Sequence, residues 1–120
     1  MVQFIPKPTI IEAAGNIPKE IAEYAGNLNT GTKDVSIAIM KSPEGWAEPG
    51  QTPEFTEYTV VLKGMLRAEC RDRTYDIRAG EAIRIGPGDW VRYSSPSAGG
   101  AEYIAICLPA FSPGTVHRDE

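Results

Sequence analysis

Histidine is nearly missing from this chain: His117, in the tail "FSPGTVHRDE", is the only one in 120 residues. That scarcity removes every imidazole-rich metal site and any Ser/His/Asp triad built in the body of the protein. Cysteine is almost as scarce. Cys70 and Cys107 stand far apart with no CxxC pair or Cys/His cluster near them, which reads as two thiols in strand-like runs. No apolar run approaches the ~20 residues needed to cross a bilayer. The start, "MVQFIPKPTIIEAAG", lacks the basic, apolar and small-residue sections of a signal peptide, so a cytoplasmic location is expected. Basic residues number only 12 against 16 acidic ones and are dispersed, giving a net charge of -4 and no footprint for nucleic acid. There is no GxGxxG after a strand, no GxxxxGK[ST] and no GxSxG. "GPGDW" is a turn with no helix after it to bind phosphate.

What the chain has in abundance is punctuation. Twelve Gly and ten Pro leave little room for long helices. The segments between them alternate at period two: "VSIAIM" (35–40), "EYTVVLKG" (57–64), "MLRAEC" (65–70), "AIRIG" (82–86), "WVRYS" (90–94) and "EYIAICL" (102–108). Many short strands separated by turn signals predict an all-β sandwich or barrel. "LKGML" reads as a tight hairpin at Gly64, and "RDRTYDIRAGEAIRI" as a second return bent at Gly80. "IPKEIAEYAG" (17–26) fits either one amphipathic helical turn or an edge strand, and the alternation through Tyr24 and Gly26 favours the strand. The length fits one domain over 1–120, with a barrel core over about 35–110, an N-terminal strand segment (1–34) and a C-terminal tail (111–120).

Two spacings are specific. Glu57, then six residues, then Gly64 matches the end of the first cupin motif, G-x5-HxH-x3,4-E-x6-G. "GEAIRIGPGDWV" (80–91) resembles the second, G-x5-P-x-G-x2-H, with Gly80 and Gly88 in register and the proline one place late at Pro87. The chain thus resembles a single-domain cupin, and the resemblance implies a double-stranded β-helix, or jelly roll, with a pocket between its sheets and pairing into homodimers. The metal ligands of the family do not carry over. The first histidine pair falls on Gln51 and Pro53, or on Gly50 and Thr52, and the second-motif histidine falls on Val91; only Glu57 remains. One carboxylate among neutral replacements leaves too few donors to fix a transition metal, so no cofactor is expected. The pattern is similar to EutQ-type cupins and to metal-independent dehydratase cupins.

Alternation predicts the lining. With Glu57 inward, Thr59 and Val61 share its face, while Tyr58, Val60 and Leu62 point away. Val91 takes the inward histidine's place, which puts Asp89 and Tyr93 on its side and sends Trp90 and Arg92 outward, toward a dimer contact or the rim. Ser36, Ala38 and Met40 form one set, and Tyr103, Ala105 and Cys107 another; the pattern leaves open whether these or the alternate sets look inward. Glu57 is the leading catalytic candidate. A carboxylate inside a barrel with no metal to neutralise it has a raised pKa and suits general acid–base work. Tyr93 would assist it, and the tail could fold over the mouth, bringing His117 or Arg118 to the site. Gln51, Thr59, Asp89, Met40 and Tyr103 are candidate ligand contacts, and Lys19 is a lesser one. The function read from this is a small cupin that binds a small polar metabolite and catalyses a metal-independent lyase, dehydratase or isomerase step. The alternatives are a non-catalytic sensing module and a weak divalent-metal site completed by Glu57, Gln51 and His117.

Overall fold

Residues 56–70 form the strand on which the whole architecture turns. In the computed structural model, which describes residues 1–120, the first half of this strand (β5, Thr56–Cys70) pairs with β9 (Ala101–Leu108) and β7 (Ala82–Ile85). Its second half pairs with β6 (Thr74–Arg78) and β8 (Val91–Ser95). Beyond β9 the first sheet continues through β3 (Ser36–Ser42), β2 (Glu20–Ala25) and β1 (Thr9–Ile11), and beyond β8 the second ends on the short β4 (Trp46–Ala47). All pairings are antiparallel, and the only helix is a single turn, α1 (Pro113–Val116). The expected all-β barrel is therefore formed, and residues 17–26 do contain a strand, but β2 is not the edge expected there because β1 pairs along its outer side.

Gly64 does not turn a hairpin. The strand continues through it, bending from one sheet into the other. Gly64 has φ +73°, a left-handed value that favours glycine, and a Cβ at this position would strike the Gly100 carbonyl oxygen. A register shift between Val61 and Lys63 precedes the bend. That extra residue changes parity: Glu57, Thr59 and Val61 are buried before it, Leu66 and Ala68 after it. One continuous strand can thus present its inner face to both sheets. Gly80, by contrast, sits where expected, in the turn between β6 and β7.

The period-two burial follows the sequence pattern closely. Val61, Leu66, Ala68, Ile77, Ile85 and Val91 join Trp46, Tyr93, Ala101 and Tyr103 in the main core. Fully burying side chains of the Val or Leu size stabilises by roughly 1.5–3 kcal/mol each. A smaller cluster, Phe55, Cys107 and Val116 with Phe111 against it, lies under the tail. The outward alternates Ile37, Tyr58 and Leu62 are exposed. Trp90 is half-buried, its indole N–H donating to Asp119 at 2.8 Å. No helix is long and apolar enough to cross a membrane.

Replacing Gly64 with alanine should combine a strained φ with a backbone clash, costing about 1–3 kcal/mol. Urea denaturation of Gly64→Ala would show this as a lower midpoint. An unchanged midpoint would mean the strand crosses between sheets without needing glycine there.

Candidate functional site

The strand parity set by β5 delivers Glu57 into a cavity of about 260 Å³ between the sheets. Its carboxyl group is bridged across the barrel. From β8, Tyr93 donates its hydroxyl to Oε1 at 2.6 Å, and from the neighbouring β9, Cys107 donates its thiol to Oε2 at 3.5 Å. Burial pushes the Glu57 pKa up, and the two donated hydrogen bonds only partly offset it. The same burial, with the Glu57 charge beside them, pushes the Tyr93 phenol well above its ordinary value and raises the Cys107 thiol. Tyr93 and Cys107 therefore keep their protons and act as hydrogen-bond donors to Glu57, and Cys107 is no thiolate nucleophile.

A second group of ionisable side chains lines the same cavity. Lys19, just before β2, donates to the Tyr103 hydroxyl at 3.1 Å, rests 3.9 Å from the centre of the Trp46 ring, and approaches the Met40 sulfur at 3.5 Å. Tyr103 is in turn bonded to Ser42 at 2.7 Å. Burial lowers the Lys19 pKa to about 8 despite the nearby charges of Glu48 and Glu57. Glu48, just after β4, is raised by burial to about 7, with Lys19 pulling the other way. Its carboxyl accepts no hydrogen bond within the chain and forms no ion pair with Lys19 at contact distance. Among the charged side chains that line the cavity, Glu48, Glu57 and Lys19 thus have pKa values moved toward neutrality by burial.

Six of the eight candidate residues come together here: Glu57, Tyr93, Gln51, Thr59, Met40 and Tyr103 all line the cavity. The inward sets on β3 and β9 are Ser36/Ala38/Met40 and Tyr103/Ala105/Cys107. Asp89 and His117 do not reach it. Asp89 is exposed in the turn before β8, where its carboxylate accepts from the Gly86 amide at 3.2 Å, so the alternation of β8 does not extend back to it. The tail does fold over the barrel. It runs antiparallel to residues 50–54, with Thr52 N–H bonded to His117 O at 3.1 Å, Glu54 N–H to Thr115 O at 2.9 Å and Asp119 N–H to Gly50 O at 2.7 Å. Arg118 consequently lines the cavity, and His117 turns outward onto the Glu54 carboxylate.

Glu48 escaped the sequence reading because "WAEPG" is too short to show a period. Its one signal is that it stands two residues after Trp46, a core side chain on the same strand face. Lys19 was underweighted because its partner Tyr103 lies 84 residues away in the chain.

The positions of the cupin metal ligands are spatially adjacent. Gln51 and Val91 exchange both backbone hydrogen bonds at 2.9 Å, and Gln51 lines the same cavity as Glu57. Yet Val91 is an apolar core side chain, Pro53 offers no donor, and no three His, Cys, Asp or Glu side chains converge anywhere in the chain. One carboxyl group and one carboxamide do not make a transition-metal site. The outward turn of His117 also separates it from Glu57 and Gln51.

Glu48 generates a stability prediction. Because its folded pKa lies above its unfolded one, its stabilising proton is fully bound below pH 4.5 and is lost as pH rises through about 7. The shift corresponds to about 3 kcal/mol at most, reduced in a Glu48→Gln variant because Lys19 loses a favourable neighbour. Thermal melts should therefore find Glu48→Gln more stable than wild type by about 1–3 kcal/mol above pH 7 and equal to it near pH 4. A difference that does not change with pH would contradict the buried placement of this carboxyl group.

Residues 42–118 match the family described as the AraC-like ligand binding domain. Over 101 residues the chain is 39% identical to the Myxococcus xanthus (strain DK1622) protein named endoribonuclease YbeY, covering 84% of this chain and 34% of that one. The chain thus spans about a third of that relative's length. Among solved structures, a predicted oxalate decarboxylase from Thermotoga maritima superposes with a TM-score of 0.74 at 18% identity, over 91% of this chain and 99% of that one. The Clostridium difficile EutQ protein does so with a TM-score of 0.64 at 20% identity, over 78% and 64%. At these identities the structures share a fold, and that fold is the single-domain cupin barrel the two motif spacings implied. With its cavity, its inward carboxyl group and the family match over most of its length, the chain belongs to the AraC-like ligand binding domain family and is a small-molecule-binding cupin.

Proposed function

We propose that the cavity binds a small polar metabolite and that Glu57 moves a proton on it, in a lyase, dehydratase or isomerase step that needs no metal. The observation that carries this reading is the Glu57 carboxyl group, buried, raised in pKa and held on one oxygen by Tyr93 at 2.6 Å. A carboxylate of raised pKa is a stronger base than one in water, so it can take a proton from the carbon beside a carbonyl group. Once protonated it can return that proton to carbon or to a departing hydroxyl. Tyr93 fixes the orientation of the carboxyl and supplies hydrogen-bond stabilisation as the charge changes. Glu48, with its pKa near 7 and no protein partner, is a second acid–base group in reach of the same space.

A second reading has its own support. The match to an AraC-like ligand binding domain favours a module that recognises a metabolite without transforming it, and half of the 22 cavity-lining residues are hydrophobic, which suits binding as well as chemistry. In that case Glu57 and Tyr93 fix ligand orientation, and their mutual hydrogen bond is a recognition feature.

Hydrogen–deuterium exchange separates the two. Incubating the protein in deuterated water with a panel of small hydroxy- and oxo-compounds, and following the carbon next to the carbonyl by proton NMR, should reveal accelerated exchange for at least one member. Glu57→Gln should slow that exchange by about 10²–10⁴-fold, the usual contribution of a positioned acid–base group. Ligand binding with no exchange, or exchange indifferent to Glu57, would leave the binding-module reading standing alone.

A further inference from the structure

The cavity contains an amine whose surroundings are unusual for a lysine. Lys19 reaches inward from the residue before β2, its nitrogen against the face of Trp46 and the Tyr103 hydroxyl, with a thioether as its other neighbour. No carboxylate lies within ion-pairing distance of it. The charged groups that act on it across the cavity are Glu48, Glu57 and Arg118, and Glu12 and Glu23 also line the space. An ammonium that serves only to stabilise the fold gains most from a contacting carboxylate, and here the available carboxyl groups are held off, leaving space between them and the amine. A ligand could fill that space. The chemistry of the three groups, an amine, a phenol and a carboxylic acid around one small volume, is that of carbonyl condensation.

We propose that Lys19 is a covalent ligand site, forming an imine with the carbonyl carbon of an aldehyde or ketone bound in this cavity. The proposal deepens the reading of Glu57 as an acid–base group acting beside a carbonyl, and it rests on that reading for the use made of the imine.

The step balances without any further reactant. The uncharged Lys19 amine attacks the carbonyl carbon, forming the N–C bond as the carbonyl π electrons move to oxygen. That oxygen takes a proton and the nitrogen loses one, giving a carbinolamine. Protonation of its hydroxyl releases water as the nitrogen lone pair forms the C–N double bond. Amine and carbonyl compound become imine and water, with no change of oxidation state. Tyr103, hydrogen-bonded to Ser42 and 3.1 Å from the Lys19 nitrogen, can hydrogen-bond the carbonyl oxygen as attack begins. Glu48 keeps its proton to unusually high pH, which suits it to donate to the departing hydroxyl. Burial lowers the Lys19 pKa to about 8, so a useful share of the amine is uncharged near neutral pH. A protonated imine would then draw electrons from the neighbouring carbon, making its hydrogen easier for Glu57 to remove.

Reductive trapping tests this on the whole chain. The protein is incubated with pyruvate, glycolaldehyde or dihydroxyacetone and sodium cyanoborohydride at pH 7.5, digested, and mapped by mass spectrometry. The chain has five lysines, Lys7, Lys19, Lys33, Lys41 and Lys63, so four serve as internal controls. With at least one probe, Lys19 should gain the mass of that probe less one oxygen atom, on the order of tenfold or more above any other lysine. Lys19→Met, which retains an apolar stem against Trp46, should lose the adduct, and Glu57→Gln should keep it. Labelling of Lys19 no greater than that of the other four, with all three probes, would overturn the proposal even if no variant folds. Glu57-dependent exchange without trapping would remove the imine and leave the acid–base reading intact. Trapping without Glu57-dependent exchange would do the reverse.

Discussion

A carboxyl group has been taken out of water with no lysine or arginine at ion-pairing distance from it. The rest of the site is arranged around that constraint. Glu57 is held by hydrogen bonds from a phenol and a thiol, two groups whose own pKa values are raised by burial and by the Glu57 charge and which therefore remain donors. Leaving such a group unsatisfied would cost several kcal/mol, so the two sheets must bring Tyr93 and Cys107 to it with some accuracy. Cys107 arrives by simple pairing, since β9 places it directly opposite Glu57. Tyr93 arrives from the other sheet, and that depends on the way β5 passes from one sheet to the other. Fold and site are joined at the bulge before Gly64, where a one-residue change of parity keeps the inner face of a fifteen-residue strand inside the barrel throughout.

The fold was legible because burial here is periodic. "EYTVVL" and "EYIAIC" each alternate cleanly, which groups Thr59 with Glu57 and Tyr103 with Cys107; that the latter pair looks inward is decided by the register of β9 against β5. The alternation fails where a strand has not begun or has just ended. Asp89 lies two residues before β8 and answers to turn geometry, capping Gly86. Gly64 looked like a hairpin because a glycine between two strand-like runs has the same sequence signature whether the chain reverses or merely bends. Glu48 and Lys19 were obscured for a different reason. They come from short or edge segments and meet only in three dimensions, through Trp46 and Tyr103. In the tail, docking could be anticipated from the apolar "CLPAF", but which of two adjacent residues turns inward depends on its pairing with residues 50–54. That pairing selects Arg118 over His117.

The departure from the metal-binding pattern of the cupin motifs is chemical as well as positional. Val91 and Pro53 contribute packing where the motif has ligands, and Gln51 keeps a carboxamide facing the cavity. Protonic groups are concentrated there: Glu48, Glu57, Lys19, Tyr93 and Tyr103 share one small volume, and burial moves the pKa of each. Opposed shifts of acids and bases within one cavity provide groups that exchange protons near neutral pH. That is the physical basis for the proposed proton transfer. It serves ligand recognition equally well if no transformation follows.

All of this depends on how firmly Glu57 holds its proton. Carbon-13 NMR of the glutamate side-chain carboxyls, titrated from acid to alkaline pH in the ligand-free protein, reads that directly. The account predicts one resonance, absent from Glu57→Gln, that titrates above the ordinary carboxyl value. A Glu57 resonance that titrates at the ordinary value would contradict it.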